Sequence, residues 1–436
     1  MSFEPTPSGV GRRTFLRGTG AAIALAALMA GTAQAQPRRG TGGYGPLQPA
    51  PGGELLLPAG FTYVAFGRTG ELMSDGRPTP GSHDGMAAFD AGEGMVRLVR
   101  NHERGAGPAF TTPSYDPVAA GGTTTLLFDT AAMALVSSFG SLSGTIRNCA
   151  GGPTPAGSWL TCEETFTPRT AATPHGYVFE VPAAADGPVT PVPLTAMGRF
   201  VHEAVCVDPA TGIVYETEDQ GTSGLYRFVP ADRDDLAAGG VLEMLAVKDR
   251  PLYDTRTGQR TNGVLPVEWV RIDDPDPDSS DALAVFNQGR AKGGAVFARL
   301  EGAWWSEADD SAYIVSTSGG DIGAGQVFRY TPRGNSGGVL QLVYESRDRA
   351  VLESPDNITV SPRTGGLVLC EDGGGKDFVR GLSTDGEIFP FCELNGPNGS
   401  EWAGATFSPD SRVLFVNQQS PGTTYAITGP WEQGAL

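Results

Sequence analysis

The sequence predicts an all-β protein, a six-bladed β-propeller with a central metal-binding channel. One observation is that strand-like runs rich in β-branched residues recur without helical periodicity. A second is that polar side chains recur in six pairs, with about 15 to 17 residues and a Pro, Asp and Gly-rich turn between the members of most pairs. The pairs are Asp84 with Asn101–Glu103, Asn148 with Cys162 and Glu163, Glu203 with Glu218, Glu301 with Thr317 and Ser318, Asp356 with Glu371, and Glu401 with Asn417.

Each pair marks the two ends of a hairpin. Because the innermost strands of a radial array converge on one channel, polar residues at equivalent ends of the hairpins are expected to meet in space. The same repeat therefore predicts both the fold and the position of a site.

The first 35 residues read as a twin-arginine export signal. Arg12 and Arg13 precede an apolar stretch at 21–30, and Ala33-Gln34-Ala35 has the form of a cleavage site. The apolar stretch is about half the roughly 20 residues that a membrane span needs, so no stable membrane association is expected. We predict a signal peptide at 1–35, a flexible leader at 36–51 and a single propeller domain at 52–436. The twin-arginine translocase would be a partner during export, and the destination periplasmic or extracellular.

The charge excludes one class of partner. The chain has a formal net charge of −18, and removal of residues 1–35, which hold three Arg and one Glu, makes it −20. A chain this acidic is not expected to bind nucleic acid. Carboxylates that converge on a channel repel one another unless cations lie between them, so the composition also favours metal binding.

Five cysteines cannot all pair, which leaves at least one thiol for another role. Cys149 and Cys206 lie in apolar strand contexts and are interpreted as buried hydrophobic residues. A disulfide between Cys370 and Cys392 stays open. Cys162 precedes two carboxylates at a hairpin end, where a metal would stabilise its thiolate, so it is the candidate ligand.

Two His-Glu dipeptides combine possible metal ligands. Alternate residues of a strand face opposite ways, so in His102-Glu103 and His202-Glu203 only one residue of each dipeptide points into the channel. Glu103 and Glu203 are the better candidates, with the histidines in supporting roles. Oxygen ligands suit calcium or iron, and a cysteine among them favours iron at its own position.

Arg299 stands out in a chain poor in basic residues. It lies two residues before Glu301, so on a strand both side chains project to the same face. A guanidinium beside metal-bound carboxylates would bind a planar or tetrahedral anion. A salt bridge within the cluster explains the spacing equally well, and both interpretations stay open.

Several motifs together resemble the PhoX-type alkaline phosphatases over nearly all of the chain that follows the signal. They are Asn148-Cys149-Ala150-Gly151-Gly152-Pro153-Thr154-Pro155, Trp159-Leu160-Thr161-Cys162-Glu163-Glu164, His202-Glu203-Ala204, Arg299 with Glu301, Ser354-Pro355-Asp356-Asn357, Cys370-Glu371-Asp372-Gly373, Glu401-Trp402-Ala403-Gly404 and Phe415-Val416-Asn417.

This resemblance implies a six-bladed propeller whose channel holds an Fe(III) and Ca2+ cluster that hydrolyses small phosphate monoesters, with a metal-bound oxide or hydroxide as nucleophile. It implies that Cys162 is an iron ligand and that Arg299 is the catalytic residue that binds the phosphate. The remaining metal ligands that it implies are Glu163, Glu203, Glu218, Glu301 and Glu371.

Two other functions fit the same fold. A calcium-dependent lactonase would use one central calcium ion and would need neither the cysteine nor the arginine. A calcium-stabilised binding propeller would carry out no chemistry. Iron in the purified protein distinguishes the phosphatase from the lactonase, because only the phosphatase is expected to contain it.

Overall fold

A computed structural model of the protein describes residues 43–168, 171–334, 336–396 and 400–436. These residues form many short strands, one α-helix and three 3-10 turns, so the predicted all-β class is confirmed. The predicted signal peptide and residues 36–42 of the predicted leader lie outside the described residues. None of the helices in the described part of the chain has the length and apolar character that a membrane span requires.

The first thirteen strands are β1 (Gln48–Pro49), β2 (Leu55–Leu57), β3 (Thr62–Phe66), β4 (His83–Asp90), β5 (Met95–His102), β6 (Gly121–Asp129), β7 (Ala134–Thr145), β8 (Asn148–Pro153), β9 (Ser158–Glu163), β10 (Val178–Pro182), β11 (His202–Val207), β12 (Val214–Glu218) and β13 (Leu225–Pro230).

The others are β14 (Gly240–Val247), β15 (Val264–Arg271), β16 (Leu300–Ser306), β17 (Ser311–Ser316), β18 (Gln326–Pro332), β19 (Gly337–Glu345), β20 (Pro355–Val360), β21 (Leu367–Glu371), β22 (Phe378–Leu382), β23 (Ile388–Leu394), β24 (Trp402–Phe407), β25 (Val413–Gln418) and β26 (Thr423–Thr428). The helix is α1 (Ala284–Ala291), and the 3-10 turns are Thr195–Met197, Leu236–Ala238 and Trp431–Gln433.

The strands form antiparallel sheets, with the orders β4-β5-β6-β7, β8-β9-β10, β11-β12-β13-β14-β15-β19-β18-β17-β16, β20-β21-β22-β23-β2-β1 and β24-β25-β26-β3. Consecutive strands are joined mainly by hairpins. Strand β3, near the start of the described chain, pairs with β26 near its end, so both ends contribute to one sheet.

Six of the strands in the described part of the chain form a ring at the centre. Strands β4, β8, β11, β16, β20 and β24 each contact the next in that order, and β24 contacts β4. The predicted propeller-like arrangement is therefore confirmed. Hydrogen bonding alone does not divide it into six separate blades, because β15 pairs with β19 and joins two groups of strands into one nine-stranded sheet.

The innermost strands are buried on both faces, which explains why they read as apolar or small residues rather than as alternating ones. Every residue of β8 but its last, and every residue of β11 and β20, is buried. Apolar clusters fill the space between neighbouring sheets, for example around Phe61, Phe391 and Trp431. The packing on both sides holds the innermost strands, and hence the channel, in place.

Residues 43–51 differ from the flexible leader that the sequence predicted. The ring centroid of Tyr44 lies 5.0 Å from that of Phe61, and its hydroxyl donates to the carbonyl oxygens of Trp431 and Leu436 at 3.1 and 2.9 Å. Strand β1 pairs with β2. The contacts of this partly buried aromatic side chain attach the segment to the fold despite its Gly and Pro content.

Candidate metal centre

The same irregularity occurs in all six innermost hairpins that the structure describes. In each, the inner strand carries one more residue than its partner, which is the geometry of a β-bulge. The residues left unpaired are 84–85, 149–150, 203–204, 301–302, 356–357 and 404–405. A bulge re-aims a side chain and resets the alternation along the strand. In five hairpins the first unpaired residue carries a possible metal ligand: Asp84, Cys149, Glu203, Glu301 and Asp356.

A small residue follows most of these ligands because neighbouring inner strands lie very close together. A Cβ atom on Gly302 would lie 2.7 Å from the carbonyl oxygen of Asp356, and one on Gly85 would lie 2.6 Å from Cα of Ala150. The close approach brings side chains from separate hairpins to the same place.

A second ring of residues lies at the same end of the channel. Its members directly follow the second strand of each hairpin, and each donates its backbone N–H to the carbonyl oxygen of the residue that precedes the inner strand, at 2.9 to 3.1 Å. They are Glu103, Glu164, Asp219, Thr317, Asp372 and Gln419. Four of the six are acidic, so the ring adds negative charge beside the bulge residues.

Two groups of side chains are placed to bind a cation. The possible ligand atoms of Cys149, Glu164 and Glu203 lie within 4.8 Å of one another, and so do those of Glu203, Glu301 and Asp356. Glu203 belongs to both groups. The arrangement therefore offers two adjacent cation positions that share one carboxylate, the first with a thiol and the second with oxygen ligands only.

The electrostatics of the cluster favour bound cations. Burial first, and neighbouring carboxylates second, raise the pKa values of Glu203 and Glu301 well above the ordinary value. Burial is also the main cause that raises the pKa of Asp356 to about 7 and that raises the pKa of the Cys149 thiol. Buried acids of this kind stay protonated unless a cation compensates them, so the donor set fits a group of metal ions.

Arg299 lies beside this cluster, in a left-handed backbone conformation with φ of 44°. Its Nε and Nη2 donate to the two carboxylate oxygens of Asp219 at 2.8 and 3.0 Å. Its Nη2 also lies 2.9 Å from Oε1 of Glu301, an ion pair without hydrogen-bond geometry. The structure thus brings together Arg299, Glu203 and Glu301, which the sequence predicted to lie at one site.

Glu163 is not part of the cluster, contrary to expectation. Its carboxylate accepts hydrogen bonds from the backbone N–H groups of Ile146 at 2.9 Å and Gly176 at 2.8 Å, and one oxygen lies 2.6 Å from Nδ1 of His175. These contacts leave it directed away from the channel. Its neighbour Glu164 takes the position in the cluster.

Glu218 and Glu371 depart from expectation in the same way. Glu218 accepts from the backbone N–H of Gly224 at 2.9 Å and from the Tyr226 hydroxyl at 2.8 Å. Glu371 accepts from the backbone N–H of Phe378 and from Nε of Arg380, both at 2.9 Å. Like Glu163, each is the last residue of its strand and binds groups in or just before the third strand. Because side chains alternate, the residue after each of them faces the channel instead.

Cys162 is also placed outside the cluster. It lies fully buried among apolar side chains that include Leu160, Val178 and Phe200, and burial raises the pKa of its thiol. Cys149, interpreted from the sequence as a buried hydrophobic residue, is the cysteine that faces Glu164 and Glu203. The signal that could have found it is its place directly after Asn148, which opens the second predicted pair.

All five cysteines are free, so the disulfide between Cys370 and Cys392 that the sequence left open is not formed. A cavity of about 720 Å³ lies at the other ends of the inner strands, around Trp304, Trp305 and Phe407. Its lining contains none of the residues of the two ligand groups. The chemistry of the side chains therefore identifies the candidate site better than the size of a concavity does.

Comparisons with known proteins show the family and the fold of the chain. The family profile described as "Alkaline phosphatase PhoX" matches residues 42–422. The structure of Pseudomonas fluorescens PhoX in complex with vanadate, a transition state analogue, superposes with a TM-score of 0.69 at 18% sequence identity, covering 92% of this chain and 99% of that chain. A gluconolactonase from Xanthomonas campestris gives a TM-score of 0.41 at 13% identity, covering 88% of this chain and 98% of that one. No curated protein sequence matches the chain.

Proposed function

Because the chain belongs to the PhoX alkaline phosphatase family, and is by that membership a phosphomonoesterase, we propose that the cluster around Glu203 is its metal centre and active site. The observation that carries the proposal is the pair of ligand groups that share Glu203, one of which contains Cys149. A vanadate complex of a protein with this fold is consistent with small phosphate monoesters as substrates.

The two ligand groups differ in the ions that they would prefer. A thiolate is a soft ligand, so the group of Cys149, Glu164 and Glu203 would hold iron. The group of Glu203, Glu301 and Asp356 offers only carboxylate oxygens, which suit calcium. We assign iron to the first group and Ca2+ to the second on this chemistry, and we take the ferric state of the iron from the resemblance to the family.

When bound, the ions supply Lewis-acid polarisation of the phosphoryl oxygens and offset the charge that develops on the leaving oxygen. Arg299 supplies the protein's own contribution. Asp219 and Glu301 hold its guanidinium through Nε and Nη2, which leaves Nη1 available to donate to a phosphoryl oxygen. A donor that is already oriented costs no reorganisation during the reaction, and this favours the charged transition state.

The fold itself is best described as six blades. In this description the nine-stranded sheet comprises one blade of β11–β15 and another of β16–β19, joined at their outer edges. The support is that the bulge and the backbone hydrogen bond beside it each occur six times, once for each innermost hairpin.

Export by the twin-arginine translocase into the periplasm or out of the cell remains a proposal. It rests on Arg12, Arg13 and the segment that follows, all outside the described residues. Replacement of both arginines by lysine should retain the protein in the cytoplasm in uncleaved form, and export of that variant at the normal rate would contradict the proposal.

The proposed function is tested by metal analysis together with turnover. The purified protein should contain both iron and calcium and should hydrolyse p-nitrophenyl phosphate, and a chelator that removes the metals should abolish that hydrolysis. A protein that contains calcium alone and hydrolyses a lactone would support the lactonase alternative instead. The place of Cys149 beside Glu203 argues against that alternative, because a calcium site needs no thiol.

A further inference from the structure

The residue that precedes each inner strand occupies an equivalent position in all six hairpins. Each accepts a backbone hydrogen bond from the second ring described above, and the six residues are Ser82, Arg147, Val201, Arg299, Ser354 and Glu401. Four of them share a left-handed backbone, including Arg147 with φ of 52° and Arg299 with φ of 44°. Arg147 is therefore the structural counterpart of Arg299 in another hairpin.

The two arginines also make equivalent contacts. Nε of Arg147 donates to Oε1 of Glu103 at 2.9 Å, and its Nη2 bonds to Glu164. Arg299 uses the same two nitrogens for Asp219 and Glu301. In each case one acid follows the second strand of the preceding hairpin, and the other belongs to a ligand group.

Both guanidiniums remain partly open to solvent. The Arg147 side chain is 47% exposed and the Arg299 side chain 39%. Within the described ranges, Nη1 of neither residue makes a hydrogen bond. Each arginine thus presents a free donor, already oriented by two carboxylates, beside one of the two ligand groups.

We propose that Arg147 is a second phosphate-binding residue, which donates from Nη1 to a phosphoryl oxygen on the Cys149 side of the site while Arg299 does so on the Glu301 side. The inference rests on the proposed function. Two planar guanidinium groups, one beside each ligand group, would then bind the phosphate from two sides. A planar donor suits a phosphoryl group better than an ammonium does.

The test uses Arg147→Lys and Arg147→Ala in the metal-loaded enzyme, with Arg97→Lys as a matched control. Arg97 bonds to Ala185 and Asp186 and touches neither ligand group. Calorimetric titration with inorganic phosphate, and its inhibition of p-nitrophenyl phosphate hydrolysis, should show affinity weakened by about 10- to 100-fold in both Arg147 variants, as for the loss of one charge-assisted hydrogen bond. The control should bind phosphate like the wild type.

Metal content separates this role from a purely structural one. If Arg147 binds phosphate, the Lys variant should keep its iron and calcium while its phosphate affinity falls. Unchanged phosphate affinity in an active enzyme would overturn the inference and leave the proposed function intact. Loss of iron from both variants would also overturn it, because Arg147 would then serve as a counter-ion for Glu103 and Glu164. A wild-type protein that neither binds phosphate nor hydrolyses the ester would overturn both proposals.

Discussion

Glu163 and Glu164 are consecutive in the chain, yet their side chains point to opposite sides of the same hairpin. Glu163 accepts a 2.8 Å hydrogen bond from the backbone N–H of Gly176, whereas Glu164 lies within 4.8 Å of the ligand atoms of Cys149 and Glu203. One carboxylate holds a loop and the other belongs to the candidate metal centre. The two side chains point to opposite sides because successive residues of a strand alternate in direction.

This pair gives a matched test of the site. Glu164→Gln removes a charged ligand and should lower both iron content and turnover with little change in folding. Glu163→Gln should instead keep its metals and lose roughly 1–3 kcal/mol of stability, because buried donors lose their charged acceptor. Metal analysis and thermal unfolding of both variants check this. Iron loss from the Glu163 variant alone would reverse the assignment.

The two cysteines allow a similar comparison. Cys149→Ser should lose iron and most turnover, since a hydroxyl is a poor replacement for a thiolate ligand. Cys162→Ser places a hydroxyl among apolar side chains, so it should cost roughly 1–3 kcal/mol of stability and retain iron. Metal analysis of the two purified variants measures their iron content, and thermal unfolding measures the loss of stability. Normal iron content in the Cys149 variant contradicts the proposed ligand group.

Arg299→Ala tests the phosphate contact itself. Loss of one oriented donor should lower kcat/KM for p-nitrophenyl phosphate by about 100- to 1,000-fold. Metal content should change little, because Arg299 is not a ligand. Arg329→Ala is a suitable control, since Arg329 bonds to Asp309 and Gln341 and touches neither ligand group. Equal kinetics in the Arg299 and Arg329 variants would remove Arg299 from the site.

Metal removal should make stability depend on pH. Burial raises the pKa of Asp356 to about 7 and that of Glu164 to about 9, above the ordinary values near 4. The metal-free folded state therefore binds more protons than the unfolded state, so its free energy of unfolding should fall as pH rises from about 5 to about 9. Bound cations replace these protons and should remove much of that fall.

Thermal unfolding at pH 5, 7 and 9 checks this expectation, with the chelated protein compared with the protein in excess calcium. The chelated protein should have its lowest Tm at pH 9. If its Tm is constant or rises over this range, the carboxylates of the cluster are not buried together as described.

Much of the architecture could be predicted from the sequence. Repeated polar pairs around apolar runs indicated an all-β radial fold, and the same-face spacing of Arg299 and Glu301 placed both at one site. The pairing of β15 with β19 could not be predicted, because the sequence of an outer strand does not indicate which strand it pairs with. The attachment of Tyr44 to the fold was not predicted either, because the Gly and Pro residues around it indicated a flexible segment.

The ligand set was predicted only in part, and the bulge explains why. Alternation counted along a regular strand fails at an extra residue, so it could not show that Cys149 faces the channel. Glu163, Glu218 and Glu371 are each followed by an acidic residue, and of these three followers Glu164 belongs to a ligand group while Asp219 holds Arg299. Only the register of the hairpins distinguishes the acid that binds a loop from the acid that faces the channel.

The most direct test of the metal centre is a crystal structure with anomalous diffraction measured at the iron absorption edge. We expect a peak bound by Sγ of Cys149 and the carboxylates of Glu164 and Glu203. A peak beside Cys162, or crystals of an active enzyme without iron in the channel, would contradict it.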